Sequence, residues 1–211
     1  ALFDLITAQP VSNDPHLKGY QFEDWEQLKG EVQYSDALRL AREILDPLMA
    51  MHFPIAFPEV FLSHSEGFNV ILGNPPWEEV KAEERDFWTV LFPGLRGLSQ
   101  REQVRKWKKL AKARPDLKEK WRITEASTNH LADILKTGSF PGLEVGDLDL
   151  YKAFCWRFWQ VASISTGKIS VVLPRSAVAA KGSEAFRKSL FGEASFLKIT
   201  TLMNTGRWIF D

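Results

Sequence analysis

Two short apolar runs constrain the fold of this chain more than any other feature. FNVIL occupies residues 68–72 and KISVVL occupies residues 168–173. Continuous apolar runs of this length, bounded by turn residues, are typical of parallel strands that are covered on both faces. FLKITTL, at residues 196–202, is predicted as a third strand. Because helical patterns alternate with these runs, the sequence predicts βαβ units in a doubly wound α/β sheet.

The part of the chain before the first strand is predicted to be a mixture of helix and loop. Residues 35–49 form a helical pattern that Pro47 is expected to end. Its apolar residues are Leu38, Ala41, Ile44 or Leu45, and Leu48. Residues 10–32 are polar and broken by proline and glycine, which is typical of a loop. Two prolines favour extended backbone within residues 51–61. We therefore interpret residues 1–66 as a helical and loop segment that connects to the strands.

Two further helices are predicted on either side of the second strand. Asp147 or Asp149 is expected to cap the first of them, which ends near Gly167. Its apolar stripe consists of Tyr151, Phe154, Phe158 and Ala162. Ser183 is expected to cap the second, which runs through Leu190.

A net charge of zero conceals a strong charge asymmetry along the chain. Residues 1–100 contain 16 acidic and 7 basic residues, whereas residues 101–211 contain 11 acidic and 20 basic residues. Ten of the bases fall in residues 101–122, REQVRKWKKLAKARPDLKEKWR, which we interpret as a basic helix. A phosphate-binding surface and a solvated charged face both explain such a helix. As a DNA-binding surface it presents Arg105, Lys108, Lys109 and Lys112.

Composition excludes several classes of protein. A single cysteine, Cys155, excludes an internal disulfide and a thiolate-rich zinc site, and we expect it to be a small buried hydrophobe. The four histidines have no spacing typical of metal ligands, so no metal site is predicted. The sequence has neither an apolar run long enough to span a membrane nor a secretion signal, so the expected location is the cytoplasm.

The first strand leads directly into Gly-Asn-Pro-Pro-Trp at residues 73–77. Ligands of α/β sheets bind beyond the carboxyl ends of strands, and we expect this loop and residues 174–177 to open onto one edge. Because the two prolines fix φ and have no N–H, the Asn74 carboxamide and the Pro75 carbonyl are expected to point outward. Two acceptors match the two hydrogens of the adenine amino group. Trp77 offers a flat surface for the base, worth about 1–3 kcal/mol of stacking.

This arrangement suits methyl transfer to an exocyclic amine. Holding both hydrogens directs the nitrogen lone pair towards an electrophilic methyl group, so catalysis depends on positioning and electrostatics. Such a route needs no cysteine nucleophile, no histidine base and no metal. In a duplex the target nucleotide has to be flipped out first. A diproline is also common in ordinary loops, and Trp77 is equally compatible with a packing role.

Asn74, Pro75, Pro76 and Trp77 resemble motif IV of amino-group methyltransferases, which has the form (D/N/S)PP(Y/F/W). HFPIAFPEVF and GFNVILGNPPWE resemble the approach to this motif in large adenine-specific methylases of type II (type IIG-like) restriction-modification and phage-defence systems. GDLDLYKAFCWRFWQVA and GKISVVLPRSA resemble the helix and strand that follow it. The resemblance extends over about residues 50–211.

The resemblance implies a partial Rossmann-like methyltransferase sheet of mostly parallel strands with flanking helices. Residues 67–211 would be the C-terminal part of the catalytic domain, with a basic helical insertion at residues 78–146. The implied catalytic residues are Asn74, Pro75, Pro76 and Trp77. The implied partner is double-stranded DNA with a flipped adenine, and the cofactor of the full-length parent is S-adenosylmethionine.

Members of this family hold the cofactor in a glycine-rich turn upstream of motif IV, whereas this sequence contains no G-x-G. We therefore expect the cofactor-binding residues to belong to the remainder of a larger methylase polypeptide, and the chain alone to be inactive. Two alternatives stay open. Similar loops serve RNA-adenine and protein-glutamine methyltransferases, and the chain can also be interpreted as a non-catalytic DNA-binding or scaffolding module.

Overall fold

The structure, a computed structural model, describes residues 2–12, 14–21, 35–62, 67–138 and 140–203. These residues form a mostly helical molecule with one small parallel sheet, and their buried side chains gather in three hydrophobic clusters. A mixed α/β fold is therefore confirmed. The doubly wound, Rossmann-like arrangement stays a prediction, because the described residues contribute only two strands to the sheet.

The helices lie before, between and after the strands, with short 3-10 turns between several of them. In chain order they are α1 (Leu2–Ser12), α2 (Asp36–Leu45), α3 (Phe53–Ala56), α4 (Pro58–Phe61), α5 (Glu84–Leu91), α6 (Gln100–Ala113), α7 (Pro115–Thr137), α8 (Leu150–Val161), α9 (Arg175–Ala179) and α10 (Glu184–Phe186). The 3-10 turns are Pro15–Leu17, Asp46–Leu48, Pro93–Leu95 and Lys181–Ser183, and a π turn covers Arg187–Phe191.

The sheet pairs β1 (Val70–Gly73) with β2 (Lys168–Val171) in parallel. Gly73 lies opposite Val171, and its carbonyl accepts a hydrogen bond from the Val172 amide at 3.0 Å. The predicted parallel pairing of the two apolar runs is thus confirmed. Because the strands are parallel, both carboxyl ends lie at one edge of the sheet, which we call the carboxyl edge.

One face of this sheet is bare, so the prediction that the strands are covered on both faces is wrong. Val70 and Leu72 are 61% and 76% exposed, whereas Ile71 and Gly73 are partly covered. A Cβ added to Gly73 would lie 2.8 Å from Cζ of Phe158 in α8, so this helix lies against the covered face. Within the described residues, helices cover that side of the sheet only.

The third predicted strand is also wrong. Residues 196–202 have no strand conformation, and Leu197, for example, is 81% exposed. An apolar run becomes a strand only where it can pair with a neighbouring edge, and this run pairs with neither β1 nor β2.

The predicted helix within residues 35–49 is confirmed as α2. The hydroxyl of Ser35 accepts a hydrogen bond from the Leu38 amide at 3.1 Å and caps the helix. Leu38, Ala41 and Leu45 are buried against α1, whereas Ile44 is only partly buried. The helix ends at Leu45, where the turn that contains Pro47 begins, as predicted.

The predictions for the segment before β1 are correct only in part. The loop predicted at residues 10–32 begins later than expected, because residues 10–12 belong to the last turn of α1, where the missing N–H of Pro10 removes only one hydrogen bond. Residues 14–21 form a 3-10 turn and irregular backbone, as expected of a loop, and residues 13 and 22–32 lie outside the described residues.

Residues 53–56 and 58–61 form α3 and α4, with a proline in the first turn of each. The extended backbone predicted before Pro54 is therefore wrong, whereas Phe57, before Pro58, is not helical and separates the two helices. Three phenylalanines four residues apart stabilise these turns, since their rings cluster with one another and with Phe68 at centroid distances of 5.3–6.4 Å. The three are Phe53, Phe57 and Phe61.

The segment between the strands is helical, and α5, α6 and the start of α7 share a cluster around Trp88 and Trp107. The basic segment is two helices rather than one. Ser99 and Glu102 form a capping box that begins α6. Pro115 occupies the first turn of α7, so the backbone breaks at the preceding residue.

Helix α8 connects the sheet to the largest hydrophobic cluster. Asp149 occupies its N-cap position, but the helix ends at Val161, well before Gly167. The predicted stripe is partly wrong, because Phe154 is 40% exposed. The buried residues surround more of the helix than one stripe, since it packs against the sheet on one side and the cluster on the other. They are Tyr151, Lys152, Ala153, Cys155, Trp156 and Val161.

Ser183 stands at the N-cap of α10, as predicted, and helical turns continue through Phe191. The Ser183 hydroxyl lies 3.0 Å from the hydroxyl of Tyr151, so the chain that follows β2 contacts the first turn of α8.

Candidate active site

The Asn-Pro-Pro-Trp segment lies at the carboxyl edge, directly after β1. Exposed and covered residues alternate along β1, and the alternation continues so that Asn74 is exposed while Pro75 is buried. Pro76 and Trp77 are half-buried. The Asn74 side chain is therefore accessible on the bare side of the sheet. Pro75 is buried, so the outward position expected for its carbonyl stays a prediction.

The strand-side end of this loop is fixed by β2 and α8. The Gly73 carbonyl is bonded to the Val172 amide, and the Phe158 ring leaves no space for a side chain at residue 73. Since a Cβ at this position would meet the ring at 2.8 Å, glycine lets the strand approach α8 closely.

The other end of the loop is fixed by a short antiparallel pairing. The Val80 amide donates to the Leu148 carbonyl at 2.8 Å, and the Leu150 amide donates to the Glu78 carbonyl at 2.9 Å. The loop is therefore held on both sides of the two prolines, which themselves restrict φ. Such a loop presents Asn74 in a defined position without a ligand.

Trp77 packs against the largest hydrophobic cluster, to which α8 contributes, and its indole nitrogen is buried. The packing role considered for this residue is therefore observed. Because the side chain is only half-buried, a stacking role for its remaining surface stays a prediction.

The second loop leaves the same carboxyl edge. After β2 the chain passes through Pro174, at the N-cap of α9, to the turn Lys181–Ser183. The Asp147 amide donates to the Gly182 carbonyl at 3.2 Å, so this loop contacts the segment that precedes α8. The two loops thus meet on the same stretch of chain, residues 147–150.

A buried lysine lies where these segments meet. Lys152 is 1% exposed, and its ammonium group lies 3.0 Å from Oδ2 of Asp149 and 3.1 Å from the Gly182 carbonyl. It also donates to the Asp147 carbonyl. Beside it, burial raises the pKa of Tyr151. Lys152 is not among the residues predicted from the sequence, although a lone lysine in the apolar stretch LYKAFCW indicates a paired buried charge.

The predicted DNA-binding residues share one side of α6. Because successive helical residues turn by about 100°, they fall within a stripe about 100° wide. They are Arg105, Lys108, Lys109 and Lys112, and all are exposed. The opposite side of the helix carries Trp107, which is buried. We call this set the basic stripe; its lysines form no ion pair within the described residues.

Cys155 and the described histidines lie outside this arrangement. Burial raises the pKa of Cys155 to about 12, so the cysteine is a small buried hydrophobe, as predicted. His130 bonds to the Val11 carbonyl, and Nε2 of His52 lies 2.9 Å from Oδ1 of Asp4. Asp4 and His52 border a cavity of about 320 Å3 among the N-terminal helices, which no residue of the Asn-Pro-Pro-Trp loop lines.

Neither described strand leads into a turn that fits S-adenosylmethionine. After β1 the chain continues as Asn-Pro-Pro, and after β2 it continues through Pro174 into α9. A glycine-rich turn, which lets the backbone approach such a ligand closely, follows neither strand. The turns that follow β1 and β2 therefore lack the glycines of the turn expected for this cofactor.

No family model, curated protein or solved structure matches this chain. In the described ranges, no helix combines the length and the hydropathy that a membrane crossing requires. The same residues include no group of three side chains arranged to hold a metal ion.

Proposed function

We propose that this chain is the amine-holding part of an adenine-specific DNA methyltransferase that uses S-adenosylmethionine, within a restriction-modification or phage-defence system. One observation carries this proposal: a stiff Asn-Pro-Pro loop, fixed at both ends, presents an exposed Asn74 at the carboxyl edge of a parallel strand pair. That edge is where α/β sheets bind their ligands.

In this proposal the chain orients the target amine. The side-chain oxygen of Asn74 and the carbonyl of Pro75 each accept one hydrogen of the adenine amino group, so that the nitrogen lone pair faces away from the loop. The remaining surface of Trp77 stacks on the flipped base. S-adenosylmethionine supplies an electrophilic methyl group, and it is held by residues other than those described.

Fixed acceptors suit this role because they need no rearrangement when the base arrives. Two prolines and two backbone anchors already restrict the loop, so positioning of the amine costs less conformational entropy. Removal of one preorganised hydrogen-bonding group from an active site typically slows catalysis about 10²–10³-fold.

The decisive experiment replaces Asn74 in the methylase polypeptide that contains this chain. We expect Asn74→Ala to lower the rate of methyl transfer to duplex DNA by about 10²-fold or more, because one of two acceptors is lost. Binding of the same duplex should change little. Asn74→Asp should retain measurable transfer, since an aspartate keeps the acceptor oxygen.

Glu78→Gln provides a matched control, since Glu78 is exposed and lies four residues further along the chain. It should transfer at the wild-type rate. If Asn74→Ala also transfers at the wild-type rate, Asn74 does not hold the amine and the proposed mechanism is wrong.

The same assay distinguishes between the possible substrates that receive the methyl group. Adenine in RNA and glutamine in proteins also present a planar nitrogen that two acceptors can hold. Transfer to RNA or to protein, with no transfer to duplex DNA, would assign the loop to one of those substrates instead.

The basic stripe supports a second candidate, a non-catalytic DNA-binding module. Four phosphate contacts would make the logarithm of the binding constant fall with the logarithm of salt concentration with a slope of about −3.6. Each of Lys108→Gln, Lys109→Gln and Lys112→Gln should then reduce the slope by about 1. Arg122→Gln is the control, because Nη2 of Arg122 already lies 2.7 Å from Oε1 of Glu119.

Fluorescence anisotropy of a labelled duplex at several salt concentrations measures these slopes. If binding is insensitive to salt, the basic stripe does not contact DNA phosphates in either of the two candidate functions. Salt-dependent binding by a polypeptide that transfers no methyl group would favour the non-catalytic module.

A further inference from the structure

We propose that Lys152 is a positioning residue that holds the two loops of the carboxyl edge together and thereby fixes the Asn74 loop. As far as catalysis is concerned, this inference rests on the proposed function. The structural part of the inference concerns only contacts between described segments, so it can be tested without a measurement of methyl transfer.

The ammonium group of Lys152 joins two separate parts of the chain. Asp149 Oδ2 lies 3.0 Å away and the Asp147 carbonyl accepts a further bond, both from the segment before α8. The Gly182 carbonyl, 3.1 Å away, belongs to the loop after β2. An ammonium group has three donor hydrogens and no acceptor, so three oxygens can be satisfied at once.

These contacts extend to the Asn74 loop through the backbone. Glu79 lies opposite Asp149 in the antiparallel pairing, and the flanking Val80 and Leu150 amides make its two hydrogen bonds. Glu78, whose carbonyl accepts from Leu150, immediately follows Trp77. A displacement of Asp149 therefore moves the anchor on the C-terminal side of the loop.

Electrostatics alone does not favour a lysine at this position. A buried charge carries a desolvation cost, and an apolar residue of similar volume often stabilises a fold as well or better. The first turn of a helix also disfavours a cation, because the helix dipole is positive there. What the ammonium group of Lys152 adds is a directional link between three oxygens from two segments. A methionine of similar volume would lack that link, so the link, rather than a gain in stability, is what the lysine provides.

Amide hydrogen exchange measured by NMR tests this link. In Lys152→Met we expect the Val80 and Leu150 amides to exchange about tenfold faster or more, because the pairing opens locally. The Val172 amide, which bonds to Gly73 between the strands, should keep its wild-type rate. Lys152→Arg, which retains a cation with several donors, should restore much of the protection.

Lys81→Met is the matched control, since Lys81 is adjacent to Val80 but has a 56% exposed side chain paired with Glu83 at the surface. It should leave the exchange of all three amides unchanged. Two results would overturn the proposal: unchanged exchange of Val80 and Leu150 in Lys152→Met, or an equal acceleration of Val172, which would mean that Lys152 supports the fold as a whole.

The catalytic consequence is measured separately in the methylase polypeptide. There Lys152→Met should lower kcat about tenfold or more and leave KM for duplex DNA within about twofold, because it misplaces the acceptors without touching DNA. An unchanged kcat would overturn the positioning role in catalysis. If Asn74→Ala has no effect on transfer, the proposed function fails, while the exchange experiment still decides whether Lys152 links the loops.

Discussion

Replacing Gly146 with alanine should destabilise the protein by about 2–5 kcal/mol, for two separable reasons. Gly146 has φ +84°, in the left-handed region where a residue with a Cβ costs about 1–2 kcal/mol. The added Cβ would also lie 2.3 Å from the carbonyl oxygen of Gly182. Because that oxygen belongs to the backbone, the loop after β2 has to move, at a typical overpacking cost of about 1–3 kcal/mol.

Two other glycines separate these contributions. Gly19 has φ +92° but nothing within 4 Å of an added Cβ, so Gly19→Ala should cost only the conformational part, about 1–2 kcal/mol. Gly94 has neither a positive φ nor a neighbour within 4 Å. Gly94→Ala should therefore stay within about 0.5 kcal/mol of the wild type.

Urea unfolding followed by tryptophan fluorescence and by circular dichroism provides the free energies of unfolding. The expected order of destabilisation is Gly94→Ala, then Gly19→Ala, then Gly146→Ala. If Gly146→Ala costs no more than Gly19→Ala, the contact with Gly182 does not exist in solution, and the close approach of the two loop segments is refuted.

Three further predictions follow from burial and hydrogen bonding. With its pKa raised to about 12, the Cys155 thiol should not react with a disulfide reagent at pH 8 until urea unfolds the chain; rapid reaction of the native protein would contradict its burial. Hydrogen bonds from Ser99 lower the pKa of Glu102, so its stabilising contribution should be present above the unfolded value near 4.5 and be lost as the pH falls. In Ser99→Ala, NMR titration should show the Glu102 pKa rising towards that value, and a stability difference from the wild type that is the same at every pH would contradict this. Because the Leu72 side chain is 76% exposed on the bare sheet face, Leu72→Lys should leave the free energy of unfolding within about 1 kcal/mol of the wild type, and a larger loss would show that this face is covered in solution.

Local patterns predicted the elements whose signals are local. Helix α2 has a capping serine, a helical apolar spacing and a terminating proline, all within residues 35–47. The runs that became β1 and β2 are apolar, bounded by turn residues, and long enough to pair. The neighbouring residues are therefore enough to propose these elements, although an apolar run forms a strand only where a partner strand is available.

The errors arise where structure depends on distant partners. Residues 196–202 have the composition of a strand, but a strand also needs an edge to pair with, which composition does not reveal. The bare face of β1 depends likewise on what covers the sheet. Phe53, Phe57 and Phe61 are a different case, because their four-residue spacing is a local helical signal that the two prolines concealed.

The candidate site also combines features that are local in the sequence with contacts between distant residues. Asn74 is recognisable from four consecutive residues, whereas its exposure depends on which face of the sheet the helices leave uncovered. What fixes it is not recognisable in this way, because the Val80 amide bonds to Leu148, 68 residues further along the chain. The contact between Lys152 and the Gly182 carbonyl likewise joins residues that are 30 positions apart. A tetrapeptide therefore indicates which atoms would face a substrate amine, whereas the long-range contacts decide whether those atoms are held still, and it is on these contacts that positioning catalysis depends.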